Sequence, residues 1–452
     1  MLKVYSIFTF ILNFFAPLFF KYRVIKKKDD PKRYLEKLGI YNRGSKNKLI
    51  WFHASSLGEL KSVENFIKNI ITNTSYNGYT ALVTTTTKSS GEYAEKSFDN
   101  NIIHQYAPID SPQVVKKFLD HWKPEVGIFI ESEIWPNLIL QSKKYNISLI
   151  LLNARFSPTS LNRWKKIPKI FLNIMKNFKI ITTMSDKLNE SLLNIGLTNT
   201  KFVGNLKFYD PGSKIVSYDK NENIFVGMSI HPEELSYLIS AHKEISRSRK
   251  NFTSIIIPRH INKIKTFEEK LKSLNCNFSI FSNKNNIKPG IILIDQYNVA
   301  EKFFKFAKVV FMGGSFIEHG GQNPLEPARI NCKVLHGPSI YNFDEIYSFL
   351  KENNISSQVN DEKDLINQIN TNLNNINQES FCKIINDHGE NIFRNNLKLV
   401  DQFIKGRISF NSIYLYLKAV LGDKDFKKYA IKSSPDITDI YKIDSWARGK
   451  TI

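Results

Sequence analysis

Three carboxylates in the first third of the chain sit where a polypeptide can use them. Glu59 follows Trp51-Phe52-His53-Ala54-Ser55-Ser56-Leu57-Gly58, a strand-like run that empties through small residues into a helix start. In the first turn of that helix the dipole favours an ionised carboxylate, and the group can work as a general base. Serines followed by Glu are also an ordinary helix-capping signal, so the spacing alone supports both roles. Glu131 and Glu133 come directly after the apolar run Phe129-Ile130. Two residues apart on extended chain means one side, so both can address a ligand; alternatively one of them pairs with Arg155 or Arg163 and fixes the loops.

The second half carries the groups suited to an anion. Phe311-Met312-Gly313-Gly314-Ser315 is followed by His319-Gly320-Gly321-Gln322-Asn323-Pro324-Leu325-Glu326-Pro327, an apolar run that opens into glycines and then a helix start. Backbone N–H groups there are expected to stand free toward an anion, as in proteins that hold nucleotide phosphates, with Glu326 accepting from ribose hydroxyls. The spacing is not Gly-x-Gly-x-x-Gly, so a dinucleotide fold is not indicated. Gly227-Met228-Ser229 and Ile257-Pro258-Arg259 close two further strand-like runs. Ser229, Gly313, Gly314 and Ser315 are therefore candidate donor contacts, and Arg259 offers a planar, permanently charged donor set, although an Arg at a strand end is commonly a surface ion pair. No His-Glu-x-x-His, Cys cluster or strand-end Asp-x-Asp is present, so neither a metal nor a cofactor is expected.

The elements that must position these groups alternate regularly. Leu49 to His53, Tyr79 to Thr85, Glu125 to Ile130, Ser148 to Leu152, Lys179 to Met184 and Lys201 to Val203 read as short buried strands, with helical spacing over Leu60 to Ile71 and Val114 to Trp122. After a polar stretch from Asp210 to Asn223 the rhythm restarts at Ile224 to Gly227, Ser254 to Ile257, Ile291 to Ile294, Val309 to Met312 and Lys333 to Leu335. Unbroken Val/Ile/Leu runs separated by helices imply parallel strands covered on both faces. The fold class is therefore α/β, with two doubly wound domains of residues 29–209 and 210–422 facing a cleft, and ligands beyond the carboxyl ends of the strands. The Asn- and Lys-rich stretch from Asn353 to Asn391 reads as weakly constrained helical surface, and residues 423–452 form an extension of unknown role.

Composition sets the partners. Among 452 residues, Lys plus Arg number 64 against 42 Asp plus Glu, a net charge of +22. That suits anionic partners, but the cations are spread without an arginine-rich tract, which argues against nucleic acid. Cys276, Cys332 and Cys382 lack metal-ligand spacing and read as reduced core thiols. From Val4 to Phe20 the chain is apolar except at Ser6, Thr9 and Asn13, and then carries Lys21, Arg23, Lys26, Lys27 and Lys28. Residues 1–28 are thus expected to be a membrane anchor with a basic flank, spanning or lying in the bilayer, that keeps the rest of the chain on the cytoplasmic side and near anionic lipid.

Taken in order, these motifs resemble the 3-deoxy-D-manno-octulosonic acid (Kdo) transferases of lipopolysaccharide synthesis, from the N-terminal anchor to about residue 420. The resemblance rests on His53 to Glu59, Thr84 to Gly91, Glu131-Ser-Glu-Ile-Trp-Pro-Asn137, Asn153-Ala-Arg155, Gly204-Asn-Leu-Lys-Phe208, Pro258-Arg-His260, Gly313-Gly-Ser315 and Asn323-Pro-Leu-Glu326. It implies a GT-B glycosyltransferase that moves Kdo from CMP-Kdo to a lipid A precursor at the inner membrane, with inversion and without metal. It implies Glu59 as the base, Glu131 and Lys207 as groups that stabilise the transition state, and Pro258, Arg259, Asn323, Pro324, Leu325 and Glu326 as contacts to CMP. A third CMP stretch reads Asp-Thr-Met-Gly-Glu in the family and Asp295-Gln296-Tyr297-Asn298-Val299 here, so Tyr297, Asn298 and Val299 are expected to make backbone rather than side-chain contacts. Two other classes share part of this pattern. A nucleotide-sugar epimerase would have the glycine-rich end without reason for the apolar leader, and a non-catalytic membrane-surface protein would have the leader without the polar strand ends.

Overall fold

The computed structural model describes residues 1–406 apart from 74–75, 77, 100, 214, 217, 284–288 and 375–379; the extension at 423–452 lies outside the described residues. The described chain divides into two compact units, one of Met1–Leu206 joined by Ile392 to Gly406, the other Lys207–Asn391.

The first unit holds a seven-stranded sheet of β1 (Lys48–His53), β2 (Tyr79–Thr85), β3 (Ile102–Tyr106), β4 (Val126–Ile130), β5 (Ser148–Ala154), β6 (Phe178–Thr183) and β7 (Thr200–Phe202). Its order is β3-β2-β1-β4-β5-β6-β7. The pairings are parallel, for example Trp51 opposite Leu82 on one side and Gly127 on the other. Both faces are covered, which is why the strands are apolar throughout: Ile50, Trp51, Phe52, Ile128, Phe129 and Ile130 are all fully buried. Helices Leu57–Thr72 and Pro112–Trp122 bury Leu60, Val63, Phe66 and Ile67, and Val114, Val115, Phe118 and Leu119, at the three- and four-residue spacing of an amphipathic face.

The second unit repeats this plan with β8 (Asn221–Ile230), β9 (Thr253–Pro258), β10 (Phe278–Ile280), β11 (Gly290–Leu293), β12 (Ala307–Met312), β13 (Lys333–His336) and β14 (Ser356–Gln358), in the order β10-β11-β9-β8-β12-β13-β14. In each sheet the order reverses direction beside the unit's first strand, between β1 and β4 and between β8 and β12. Such a switch point leaves a crevice at the carboxyl ends where ligands bind.

Three strands escaped the sequence reading: β3, β10 and β14, each at a sheet edge. An edge strand pairs on one side only, so it can be short and half polar, as Phe278-Ser279-Ile280 and Ser356-Ser357-Gln358 are. The stretch after Asn353 is corrected as well. Helix Glu362–Asn374 buries Leu365, Ile369 and Leu373 completely against the second sheet, so this is core and not loose surface. The expected bound at 422 lies outside the described residues, and the last described helix, Phe381–Ile404, runs from the second unit into the first at Ile392. There Phe393 meets Phe66 edge-on at 6.0 Å and Tyr76 Oη donates to Asp401 at 2.7 Å.

Candidate active site

At the switch point of the first unit, β1 ends at His53 and the chain enters helix Leu57–Thr72 with Ser56 as its N-cap. The Glu59 N–H donates to Ser56 Oγ at 3.3 Å, Ser56 Oγ donates to Glu59 Oε1 at 2.9 Å, and the Ser55 N–H donates to Glu59 Oε2 at 2.7 Å. The capping reading of Glu59 is therefore correct, and it does not exclude the other. Burial, then the negative charges of Glu133 and Glu131, push the Glu59 carboxyl up to about 7, against the two hydrogen bonds that pull it down. A carboxylate poised near neutrality has the basicity that proton abstraction from a hydroxyl requires.

The carboxylates after β4 are not on an extended segment, contrary to the spacing argument. Glu131 takes a left-handed backbone, φ 57, and is buried, with Oε2 3.9 Å from Arg155 Nη1. The Arg155 pairing thus falls on the same residue that the resemblance marks as catalytic. Glu133 turns elsewhere. Its Oε2 lies 3.1 Å from His53 Nε2 and accepts from Trp135 Nε1. Burial raises its pKa, but the bonds from His53 and Trp135 outweigh that and hold it below the usual carboxylate range. His53, buried beside Thr84 Oγ1 at 2.9 Å, thereby keeps a negative charge next to Glu59. Sequence reasoning assigned His53 no role, because the histidine and the glutamate it holds are 80 residues apart.

Lys207 sits partly buried in a 3-10 turn, Leu206–Phe208. Just before it, the Leu206 N–H donates to Asn153 Oδ1 at 3.1 Å, with Asn153 itself at φ 58. Just after it, the Phe208 carbonyl accepts from Arg329 Nη2 at 2.9 Å.

In the second unit the expectation of free N–H groups fails at the glycines. The N–H of Gly314 donates to Glu234 Oε2 at 2.7 Å, and those of Ser315 and Phe316 donate to Glu234 Oε1 at 3.0 and 3.1 Å. The Gly313 N–H donates to the Met228 carbonyl. The anion that fills this nest is the protein's own: Glu234, fully buried, which also accepts from the His231 N–H at 3.1 Å. Ser315 is fully buried, and its hydroxyl joins Met312 O to the Gly337 N–H. The glycines have a packing reason. A Cβ on Gly313 would lie 2.4 Å from the Ser229 carbonyl oxygen, and Gly314 has φ +69. Ser229 shares this crossing, at φ 56 and nearly buried.

What remains open toward solvent at these strand ends is different. Arg259 is exposed at the end of β9, its backbone N–H donating to the Ile230 carbonyl while Pro258 is buried. Of Asn323 to Glu326, Pro324 and Leu325 are buried and anchor a short helix, Leu325–Arg329, whereas Asn323 and Glu326 are accessible, with Asn323 Oδ1 accepting from the Leu325 N–H at 3.2 Å. In the altered stretch Tyr297 is exposed and Val299 buried, and Asn298 has φ 60. Asn enters the left-handed region more easily than other non-glycine residues, so the turn tolerates the loss of the family's glycine. The sequence reading gave His231 and His319 no role either. Their rings lie 4.6 Å apart, with His260 6.1 Å from His231. Burial and the neighbouring His319 bring His231 down to about 4, and its Nε2 has no hydrogen-bond partner among the described residues. Among the described residues no group of three His, Cys, Asp or Glu side chains is arranged to hold a metal.

Comparison with known proteins gives the family. The family model for 3-deoxy-D-manno-octulosonic-acid transferase (kdotransferase) matches residues 32–210. A 3-deoxy-D-manno-octulosonic acid transferase of Rickettsia felis is 30% identical over 367 residues, covering 79% of this chain and 78% of that protein. The Rickettsia bellii enzyme of the same name is 29% identical over 424 residues, 90% of this chain and 98% of its own length. Among solved structures, a glycosyltransferase from Rickettsia africae superposes with a TM-score of 0.54 at 14% identity, over 80% of this chain and all of that one. A putative UDP-N-acetylglucosamine 2-epimerase from Listeria monocytogenes reaches 0.52 at 13% identity, over 80% of this chain and 97% of its own. At such identities the structural likeness shows the fold alone, the two-domain GT-B architecture, whereas the Rickettsia felis relative, 30% identical over most of both chains, shows the family. The chain belongs to the 3-deoxy-D-manno-octulosonic acid transferase family of glycosyltransferases.

Proposed function

We propose that the protein transfers Kdo from CMP-Kdo to the lipid A precursor lipid IVA, with inversion and without a metal, on the cytoplasmic face of the inner membrane. The observation that carries the reading is Glu59: a carboxylate fixed by the Ser55 N–H and the Ser56 hydroxyl at a switch point, with its ionisation pushed to about 7. Glu59 takes the proton of the acceptor hydroxyl. The freed oxygen forms its bond to the anomeric carbon as the bond from that carbon to the CMP phosphate oxygen breaks, and the electron pair leaves with CMP. The sugar carbon turns positive while the phosphate departs negative, so Glu131 serves the first charge and the cations Lys207 and Arg259 the second.

Pro258, Arg259, Tyr297, Asn298, Val299 and Asn323 to Glu326 form the CMP site in this reading, Arg259 through its guanidinium and the buried Pro258, Pro324 and Leu325 through backbone. The acceptor stays in the membrane, and anionic lipid draws the basic chain to it. The test is transfer of labelled Kdo, with CMP-Kdo generated in situ, to tetra-acylated lipid A precursor in the presence of EDTA. Labelled lipid is expected from the wild type and none from Glu59→Gln. Full activity of Glu59→Gln would overturn the assignment of the base, and an inactive wild type beside an active control enzyme would overturn the substrate assignment.

A further inference from the structure

The N-terminal helix, Leu2–Ile25, is apolar enough and long enough to cross a bilayer, yet it is docked along its length. Its inward stripe is Leu2, Tyr5, Ser6, Thr9, Asn13, Ala16, Phe20 and Arg23, spaced by three and four residues. At one end Tyr5 Oη donates to Asp110 at 2.9 Å, Ser6 Oγ to Asn137 Oδ1 at 2.6 Å, and Asn137 Nδ2 to Thr9 Oγ1 at 3.0 Å. At the other end Arg23 and Lys37 both pair with the buried Asp29, and Lys37 Nζ stands 5.2 Å over the Phe20 ring. All these partners belong to the first unit. The polar breaks in the apolar run are thus the docking stripe, and the amphipathicity is inverted: the polar side faces protein. The outward side presents Phe8, Ile11, Phe14, Phe15, Leu18 and Phe19, with Phe14 83% and Leu18 71% exposed, beside exposed Lys21, Lys26, Lys27 and Lys28.

We infer that this helix lies flat in the interface of an anionic bilayer leaflet and does not span it. The two docked ends are separated by most of a helix about 36 Å long. A perpendicular helix would carry Asp110 and Asn137 through the hydrocarbon or break every bond they make to it. Lying flat satisfies both sides, with the aromatic and aliphatic side chains below the headgroups and the lysines among the phosphates. That the leaflet is the cytoplasmic one rests on the proposed function; the orientation does not.

The test is topological. Lys3→Cys is introduced into the full chain with Cys276→Ser, since Cys332 and Cys382 are buried, and a membrane-impermeant maleimide is applied to intact spheroplasts and to inverted inner-membrane vesicles. Labelling only in inverted vesicles is expected. Labelling in intact spheroplasts, or on neither side until detergent is added, would overturn the inference. In a second arm, the purified full chain is co-sedimented with phosphatidylcholine vesicles with and without phosphatidylglycerol. Lys27→Gln with Lys28→Gln should weaken binding to the anionic vesicles roughly thirtyfold and leave the neutral ones unchanged, whereas Phe14→Asp should weaken both. Unchanged binding by Phe14→Asp, or dimers formed through this face that vesicles fail to compete away, would count against it. Neither arm reads sugar transfer, so failure here and failure of the transferase reading are separable.

Discussion

Glu59 and Glu234 occupy corresponding places in the two units, yet one is left partly open to solvent and the other is locked. Each follows the first strand of its sheet, at the switch point, and opens a helix. Glu59 accepts one backbone N–H and one hydroxyl, keeps part of its surface accessible and faces two like charges. Glu234 is fully buried and accepts four backbone N–H groups, three of them from the glycine segment opposite. Burial lifts both carboxyls, and only at Glu234 do several amides oppose it. A repeated topology thus delivers a carboxylate to the same spot twice, and the number of donors left around it separates a carboxyl lifted to about 7 from a buried strut.

The sharpest way to break this comparison is to neutralise each member. Glu59→Gln keeps an acceptor for Ser55 and should cut turnover by roughly 10²–10⁴-fold, as loss of a general base does, while CMP affinity by calorimetry stays as in the wild type. Retention of turnover within tenfold would remove Glu59 from the mechanism. Glu234→Ala should instead act on stability, stranding buried N–H groups at roughly 1–3 kcal/mol each, read by chemical denaturation. Tighter CMP binding at unchanged stability would mean that Glu234 plugs an anion site rather than holding the fold.

Arg259→Ala probes the solvent-facing side of the second switch point. Loss of a charged donor worth about 1.5–3 kcal/mol should weaken CMP binding without moving the melting temperature, and an unchanged affinity would leave Arg259 as surface charge. The pH dependence is a gentler test. A base must be ionised, so activity should rise with pH through about 7, and Glu133→Gln, which removes a like charge, should move that limb to lower pH. Because folding raises the Glu59 pKa, the stability tied to its protonated form is complete below the unfolded value and is lost as pH rises through about 7. Glu59→Gln should therefore melt higher than the wild type at pH 8 and match it near pH 4; the opposite order would show that the carboxylate is stabilised by its surroundings. The smallest effect is expected at Asn298, where Gly should change stability by less than about 1 kcal/mol and Val, which resists φ 60, should cost roughly 1–2 kcal/mol.

Much of this site was legible in the residues. Apolar runs of period-free Val, Ile and Phe announced two parallel sheets because strands covered on both faces must be apolar throughout, and small residues before Glu59 announced a helix start. The signals failed where the deciding partner was distant in sequence. The glycines after β12 read as an open anion nest, since nothing local shows that Glu234, some 80 residues earlier, fills it. Glu131 and Glu133 read as a matched pair, until left-handed backbone and His53 sent them to different tasks.

By itself the sequence determined the class of fold, most of the strands and the identity of the charged residues at their ends, because hydrophobic periodicity and capping are local properties. Tertiary structure alone decided which of those charges are neutralised, which are held apart and which face outward, because burial and hydrogen-bond partners are set by contacts between distant segments. The N-terminal helix shows the same division: its apolar run is written in consecutive residues, but that Ser6 and Thr9 face Asn137, leaving the phenylalanines outward, is decided only when the helix meets the folded unit.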